Sequence, residues 1–166
     1  MCGIPGSGKS TWIRQKKSEL PGHTVIISRD EVRFKMLEES DEYFAKEKEV
    51  FKKFISLIEC ALLTENTSTV VADATHLSPA SRKKLLANLS GVTSKMKDLQ
   101  IIAVVINIPL EVALERNAHR EGRAYVPPSA IKNMFNSFSL PTLDEGFDEI
   151  YIYKLKGLAK IIAKEK

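Results

Sequence analysis

The sequence predicts an α/β fold in which a parallel sheet of about five strands is flanked by helices. Three observations carry that expectation. Short apolar runs rich in β-branched residues recur at residues 24–28, 69–72, 99–108 and 149–153. Stretches with helical spacing separate them. A glycine-rich segment, Gly3-Ile4-Pro5-Gly6-Ser7-Gly8-Lys9-Ser10, opens the first of those stretches.

The elements follow in order. Lys9 to Leu20 reads as a helix that Pro21-Gly22 stops. Val25-Ile26-Ile27, Val70-Val71-Ala72 and the run Ile101 to Ile106 are apolar on successive residues, which suits strands buried on both faces of a parallel sheet. Tyr43 to Glu65 places Phe44, Val50, Phe51, Phe54, Ile55, Leu57, Ile58, Ala61 and Leu62 largely on one stripe, the pattern of a long amphipathic helix whose aromatics belong to the core. Ser78-Pro79 forms the N-cap and first position of a helix running to about Leu89. Pro109 opens another to about Arg120, and Pro127-Pro128-Ser129 a third that ends near Phe138. The last apolar run, Ile150 to Tyr153, fits an edge strand.

A chain of 166 residues, 43% hydrophobic and 28% charged, has the size of one domain, residues 1–166, with a self-sufficient core. Its longest apolar run falls far short of the ~18 residues that span a bilayer, so no membrane association and a cytoplasmic location are expected. Cys2 and Cys60 form no zinc or disulfide pattern. The net charge of +4 is mild for a dedicated nucleic-acid binder.

The glycine-rich segment satisfies GxxxxGK[ST], and a chance match in a chain of this length is on the order of 1%. Backbone N–H groups of such a loop turn inward around phosphate oxygens, and the helix that follows adds its positive end. Gly6, Ser7 and Gly8 would line the cradle, Lys9 would reach the β- and γ-phosphates of a nucleoside triphosphate, and the Ser10 hydroxyl would ligate Mg²⁺. Thr11 is the next polar group, near the α-phosphate. ATP and Mg²⁺ are the expected cofactors of this P-loop.

The chemistry must come from the other strand ends. The run 24–28 leads into Arg29-Asp30-Glu31-Val32-Arg33. Asp30 and Arg33, three apart on a first helical turn, share a face. A carboxylate there could take the proton of an acceptor hydroxyl while an arginine holds phosphate charge. The run 69–72 ends at Asp73, in a Walker B-like position for Mg²⁺, though Asp73-Ala74-Thr75-His76 could equally face the acceptor. His76 reads as a local hydrogen-bonding group rather than a base. Arg116 and Arg120 lie on one helical face, and Arg123 follows Gly122 on a mobile segment, which suits a lid over the triphosphate.

These segments, with Asp41-Glu42-Tyr43, Asp73-Ala-Thr-His-Leu-Ser-Pro79 and Val126-Pro127, resemble in order the kinase domain of phage and bacterial polynucleotide 5′-hydroxyl kinases, over about Gly3 to Phe138. The resemblance implies an adenylate-kinase-like core with an arginine lid and ATP-dependent phosphorylation of a nucleic-acid 5′-hydroxyl. It implies Lys9 and Ser10 on phosphates and magnesium, Asp30 as general base and Arg33 on the acceptor side. Asp73 and Thr75 would lie near acceptor or metal, with Arg116, Arg120 and Arg123 on the donor phosphates. The C-terminal phosphatase of the phage enzymes has no counterpart, and the segment 143–149 before a final strand is typical of stand-alone members of the group.

Two other readings stay open: a kinase for a nucleoside or other small metabolite, and an ATPase or nucleotide switch that acts on a partner protein. Oligomeric state is not legible. A P-loop normally follows a central strand of ~5 to 6 residues, and here only Met1 and Cys2 precede Gly3. The expectation is therefore a truncated first strand, with Met1 and Cys2 starting in mid-sheet beside a strand-wide gap.

Overall fold

The computed structural model describes residues 1–38, 40–43 and 45–164. Among them lie five strands, β1 (His23–Ser28), β2 (Thr67–Asp73), β3 (Ile102–Ile106), β4 (Glu149–Lys154) and β5 (Gly157–Ala163). The helices are α1 (Lys9–Lys16), α2 (Arg29–Met36), α3 (Glu47–Leu63), α4 (Pro79–Thr93), α5 (Leu110–Ala118) and α6 (Pro128–Ser137). No helix among the described residues is long and apolar enough to cross a membrane.

The fold is α/β, as the sequence predicts. β1 pairs with β2 in parallel and β3 pairs with β4 in parallel. The two parallel pairs meet through Met1 and Cys2. The Met1 ammonium donates to Ala72 O at 3.0 Å, Cys2 N to Val104 O at 2.7 Å, Ile106 N to Cys2 O at 2.9 Å and Gly3 N to Thr75 O at 2.9 Å. Met1 and Cys2 thus run in mid-sheet between β2 and β3, as expected from the short approach to Gly3. Beneath them a cavity of about 680 Å³ is bounded by residues 67–72 of β2 and 101–104 of β3, with Trp12 and Leu85 among its walls.

Three differences from the sequence reading concern boundaries and an edge. α1 ends at Lys16 and a single 3₁₀ turn, Lys17–Glu19, carries the chain to Pro21. α3 begins at Glu47 rather than Tyr43, and Phe44 lies outside the described residues. β4 is not the edge: β5 folds back on it antiparallel after a tight turn at Leu155-Lys156. The alternation of the last strand is too exposed to announce itself, since only Ile162 of β5 is even half-buried.

The core forms where the apolar faces meet. Ile27 of β1, Phe54 and Ile58 of α3 and Leu85 and Leu89 of α4 pack together. Ala103, Val105, Ile150 and Ile152 close the second parallel pair over Phe147. Complete burial of a side chain such as Phe54 contributes about 1.5–3 kcal/mol, which fixes α3 against the sheet end that carries the acidic and basic residues.

α4 starts as the sequence predicts. Ser78 and Ser81 form a reciprocal capping box, with Pro79 at the first turn. From α4, Arg82 reaches across to Glu145: Nε meets Oε2 at 2.7 Å and Nη2 meets Oε1 at 2.8 Å. Its remaining N–H groups go to the carbonyls of His76, Ser139 and Leu140. All five guanidinium donors are therefore used, and the loop after β2 is tied down from behind.

Candidate active site

The loop from Gly3 to Gly8 wraps the N-terminus of α1. Gly8 is the N-cap of α1 with φ 103°, and the left-handed conformation there would strain any other L-residue. Gly6 lies so close to α5 that an added Cβ would stand 2.3 Å from Ala113 O. The two positions hold the loop open on one side and pressed against α5 on the other. Ser7 is buried, and its Oγ has no partner among the described residues.

Lys9 folds back under the loop, its Nζ donating to Gly3 O at 2.9 Å and Ile4 O at 3.1 Å. Burial pushes its ammonium below the ordinary lysine value, while Asp73 and Asp30 pull it back up and Arg120 pushes it down. Asp73, Asp30 and Arg120 reach Lys9 from three separate parts of the chain: the end of β2, the first turn of α2 and the segment after α5. Ser10 Oγ donates to Asp73 Oδ2 at 3.1 Å. Asp73 is the buried last residue of β2.

α2 begins directly on β1, with the Ser28 side chain accepting from Glu31 N as N-cap. Its first turn carries Asp30 and Arg33, and the shared face predicted for them is realised: Arg33 Nη1 donates to Asp30 Oδ1 at 2.5 Å. Arg33 is almost wholly buried, whereas the Asp30 side chain is 62% exposed. Arg33 Nη2 donates to Glu47 Oε2 at 2.8 Å, and Arg29 pairs with Glu47 Oε1. Burial works against the Arg33 charge, but Glu47, Tyr43 and Asp30 outweigh it and hold the guanidinium above its ordinary value.

The arginines of the predicted lid divide. Arg116 Nη1 donates to Ser7 O at 3.2 Å and stands against Gly8, so it belongs to the phosphate loop. Arg120 reaches Ala124 O at 3.4 Å within its own exposed segment. Arg123 turns away from the loop and donates to Leu37 O and Glu38 O, at 3.4 and 2.8 Å, on the segment after α2. Thr75 enters through its carbonyl, which accepts Gly3 N. Thr11 is exposed, its Oγ1 accepting from Arg14 at 3.5 Å.

His76 is structural, as its sequence context implied, although its partner is distant in the chain. Nδ1 lies 2.9 Å from Met1 O. A carbonyl only accepts, so Nδ1 carries the proton. Burial first, then the Met1 ammonium, pushes the ring down to about 3.

Two site residues escaped assignment from the sequence. Tyr43 hydrogen-bonds both Asp30 and Arg33, and Glu47 gathers both arginines of α2. The apolar stripe puts Tyr43 at the start of the long helix, whereas the structure holds it in a turn before α3. Glu47 reads simply as a first-turn acid of α3, favourable to the helix dipole wherever it points.

Residues 1–141 match the family model described as an AAA domain. Among solved structures, a chain of the Pnkp1/Rnl/Hen1 RNA repair complex resembles this one with 25% identity and a TM-score of 0.65, over 82% of this chain and 42% of that one. This chain thus spans less than half the length of that relative. An unliganded sugar kinase from Janibacter sp. HTCC2649 shares the fold at 16% identity and a TM-score of 0.58, over 93% of this chain and 83% of its own. The family match spans most of the chain, and with its glycine loop and α/β core the chain belongs to this AAA domain family and has a P-loop kinase-like fold.

Proposed function

We propose that the protein transfers the terminal phosphoryl group of ATP to a hydroxyl, and that the acceptor is a polynucleotide 5′-hydroxyl. The observation that carries this reading is the Asp30–Arg33 pair at the end of β1, within the electrostatic reach of Lys9. A nucleotide switch needs the glycine loop and Asp73, but it has no use for a half-exposed carboxylate braced by an arginine at the acceptor end.

In this reading the phosphate loop, the N-terminus of α1 and Lys9 bind and orient the triphosphate, with Thr11 beside its α-phosphate. Gly6 lets the loop press against α5 and Gly8 turns it into the N-terminus of α1, and the buried Ser7 Oγ beside them has no partner among the described residues, an arrangement that fits phosphate oxygens. Ser10 and Asp73 already lie within hydrogen-bond distance of one another and form the oxygen donor set that suits Mg²⁺. When bound, the ion neutralises phosphate charge. Asp30 accepts the proton of the attacking hydroxyl as the new O–P bond forms and the bond to the nucleoside diphosphate breaks. Arg33 holds negative charge on the acceptor side, with Thr75 beside it. Arg116 and Arg120 hold it on the donor side, and Arg123 joins them when the lid segment closes.

The test is transfer of label from [γ-³²P]ATP to 5′-hydroxyl oligonucleotides, RNA and DNA, across salt and Mg²⁺ concentrations. Labelled 5′ ends that fall off as salt rises support the polynucleotide acceptor, because phosphate contacts release counterions. The mild net charge of +4 favours a second reading, a small hydroxyl metabolite. ADP release stimulated by sugars or nucleosides, with unlabelled oligonucleotides, would select it.

A further inference from the structure

The hydroxyl of Tyr43 closes a triangle with the two residues on which the proposed chemistry depends. It donates to Asp30 Oδ1 at 2.8 Å and accepts from Arg33 Nη1 at 2.9 Å, while that same nitrogen donates to Asp30 Oδ1 at 2.5 Å. Both donors converge on Oδ1. Among the described residues no donor reaches Oδ2, and the carboxylate projects from a side chain 62% exposed. An exposed carboxylate held at one oxygen rotates little and presents the other in a fixed direction. Two charge-assisted hydrogen bonds at the same atom supply that hold.

The Tyr43 ring is itself anchored. The Arg33 guanidinium lies 4.5 Å from its centroid, and Phe34 meets it edge-on at 6.2 Å. Burial, together with the Asp30 charge, pushes the phenol up to about 12. It therefore keeps its proton throughout the working range and remains a donor.

We infer that Tyr43 is a positioning residue for the proposed transfer: it fixes Asp30 so that Oδ2 is the oxygen that takes the acceptor's proton, and Oδ1 stays with Tyr43 and Arg33. The inference rests on the phosphotransferase reading and names a further part of the same site. Nothing in it requires Tyr43 to touch the acceptor.

A double-mutant cycle tests it. Tyr43→Phe keeps the ring, its stack on Arg33 and its edge contact with Phe34, and removes the hydroxyl alone. In the otherwise native protein, kcat for phosphoryl transfer should fall roughly tenfold, the worth of one hydrogen bond to a charged group. KM for ATP and acceptor should stay within twofold, and the melting temperature should hold. In an Asp30→Asn background the same change should cost less than twofold, because a residue acting through Asp30 has nothing left to position. An equal loss in both backgrounds, or full activity of Tyr43→Phe beside a disabled Asp30→Asn, would overturn the assignment and leave the phosphotransferase reading intact. An Asp30→Asn protein as active as the native one would overturn that reading and the Tyr43 assignment with it.

Discussion

Ser10 Oγ and Asp73 Oδ2 meet at 3.1 Å although 63 residues separate them in the chain. One stands on the first turn of α1 and the other at the end of β2. The pairing joins the phosphate loop to the neighbouring strand end, at the point where the proposed function puts a divalent cation.

Weakening that pair should show in the metal dependence. Asp73→Asn keeps the shape and removes the charge. The Mg²⁺ concentration needed for half-maximal activity should rise roughly tenfold, the lower end of the cost expected when a group that orients a metal is replaced. A magnesium titration of turnover at saturating ATP measures it.

Glu47 gathers Arg29 and Arg33, and its loss should be felt in turnover more than in binding of ATP. Glu47→Gln removes the charge and leaves a single acceptor oxygen where each guanidinium now has its own. Activity should fall about tenfold for a loss near 1.4 kcal/mol, while ATP affinity from equilibrium titration stays unchanged.

The Arg82–Glu145 pair is buried on both sides, at 1% and 4% side-chain exposure. Removing one partner strands the other. Arg82→Ala should cost about 3–5 kcal/mol of folding stability, whereas a double replacement by Met and Leu of similar bulk should recover much of it. Denaturant unfolding of the three proteins gives the comparison.

His76 makes stability depend on acid. Its folded value of about 3 lies below the ordinary 6.5, so between those values the unfolded chain binds a proton that the folded protein refuses. Stability is full above about pH 6.5 and falls as the pH drops, by about 3 kcal/mol near pH 4. His76→Asn should flatten this slope, and Asn also tolerates the φ of 42° at this position. Urea melts at a series of pH values would reveal it.

The parts of the fold that rest on local chemistry were legible. The Ser78 cap, the prolines that open α4 and α6 and the apolar runs of β1 to β3 follow from periodicity and turn residues alone. So did the pairing of Asp30 with Arg33, because three residues on one helical turn share a face. What depends on distant parts of the chain was not legible. Glu47 finds Arg33 only because Phe54, Val50 and Ile58 set α3 against the sheet. Arg123 lies on the carbonyls after α2 because the lid segment folds across to them, which no spacing announces. β5 was missed because its face is solvated and carries no alternation of burial.

The central claim, that Asp30 accepts a hydroxyl's proton during transfer from a nucleotide held by the phosphate loop, is tested most directly by single-turnover transfer of labelled phosphate to a 5′-hydroxyl oligonucleotide by native protein and Asp30→Asn. The account predicts labelled 5′ ends with native protein, at least a ~100-fold slower rate for Asp30→Asn, and equal ATP affinity in both. ADP formation that is indifferent to any hydroxyl acceptor, and equally fast in Asp30→Asn, would contradict it.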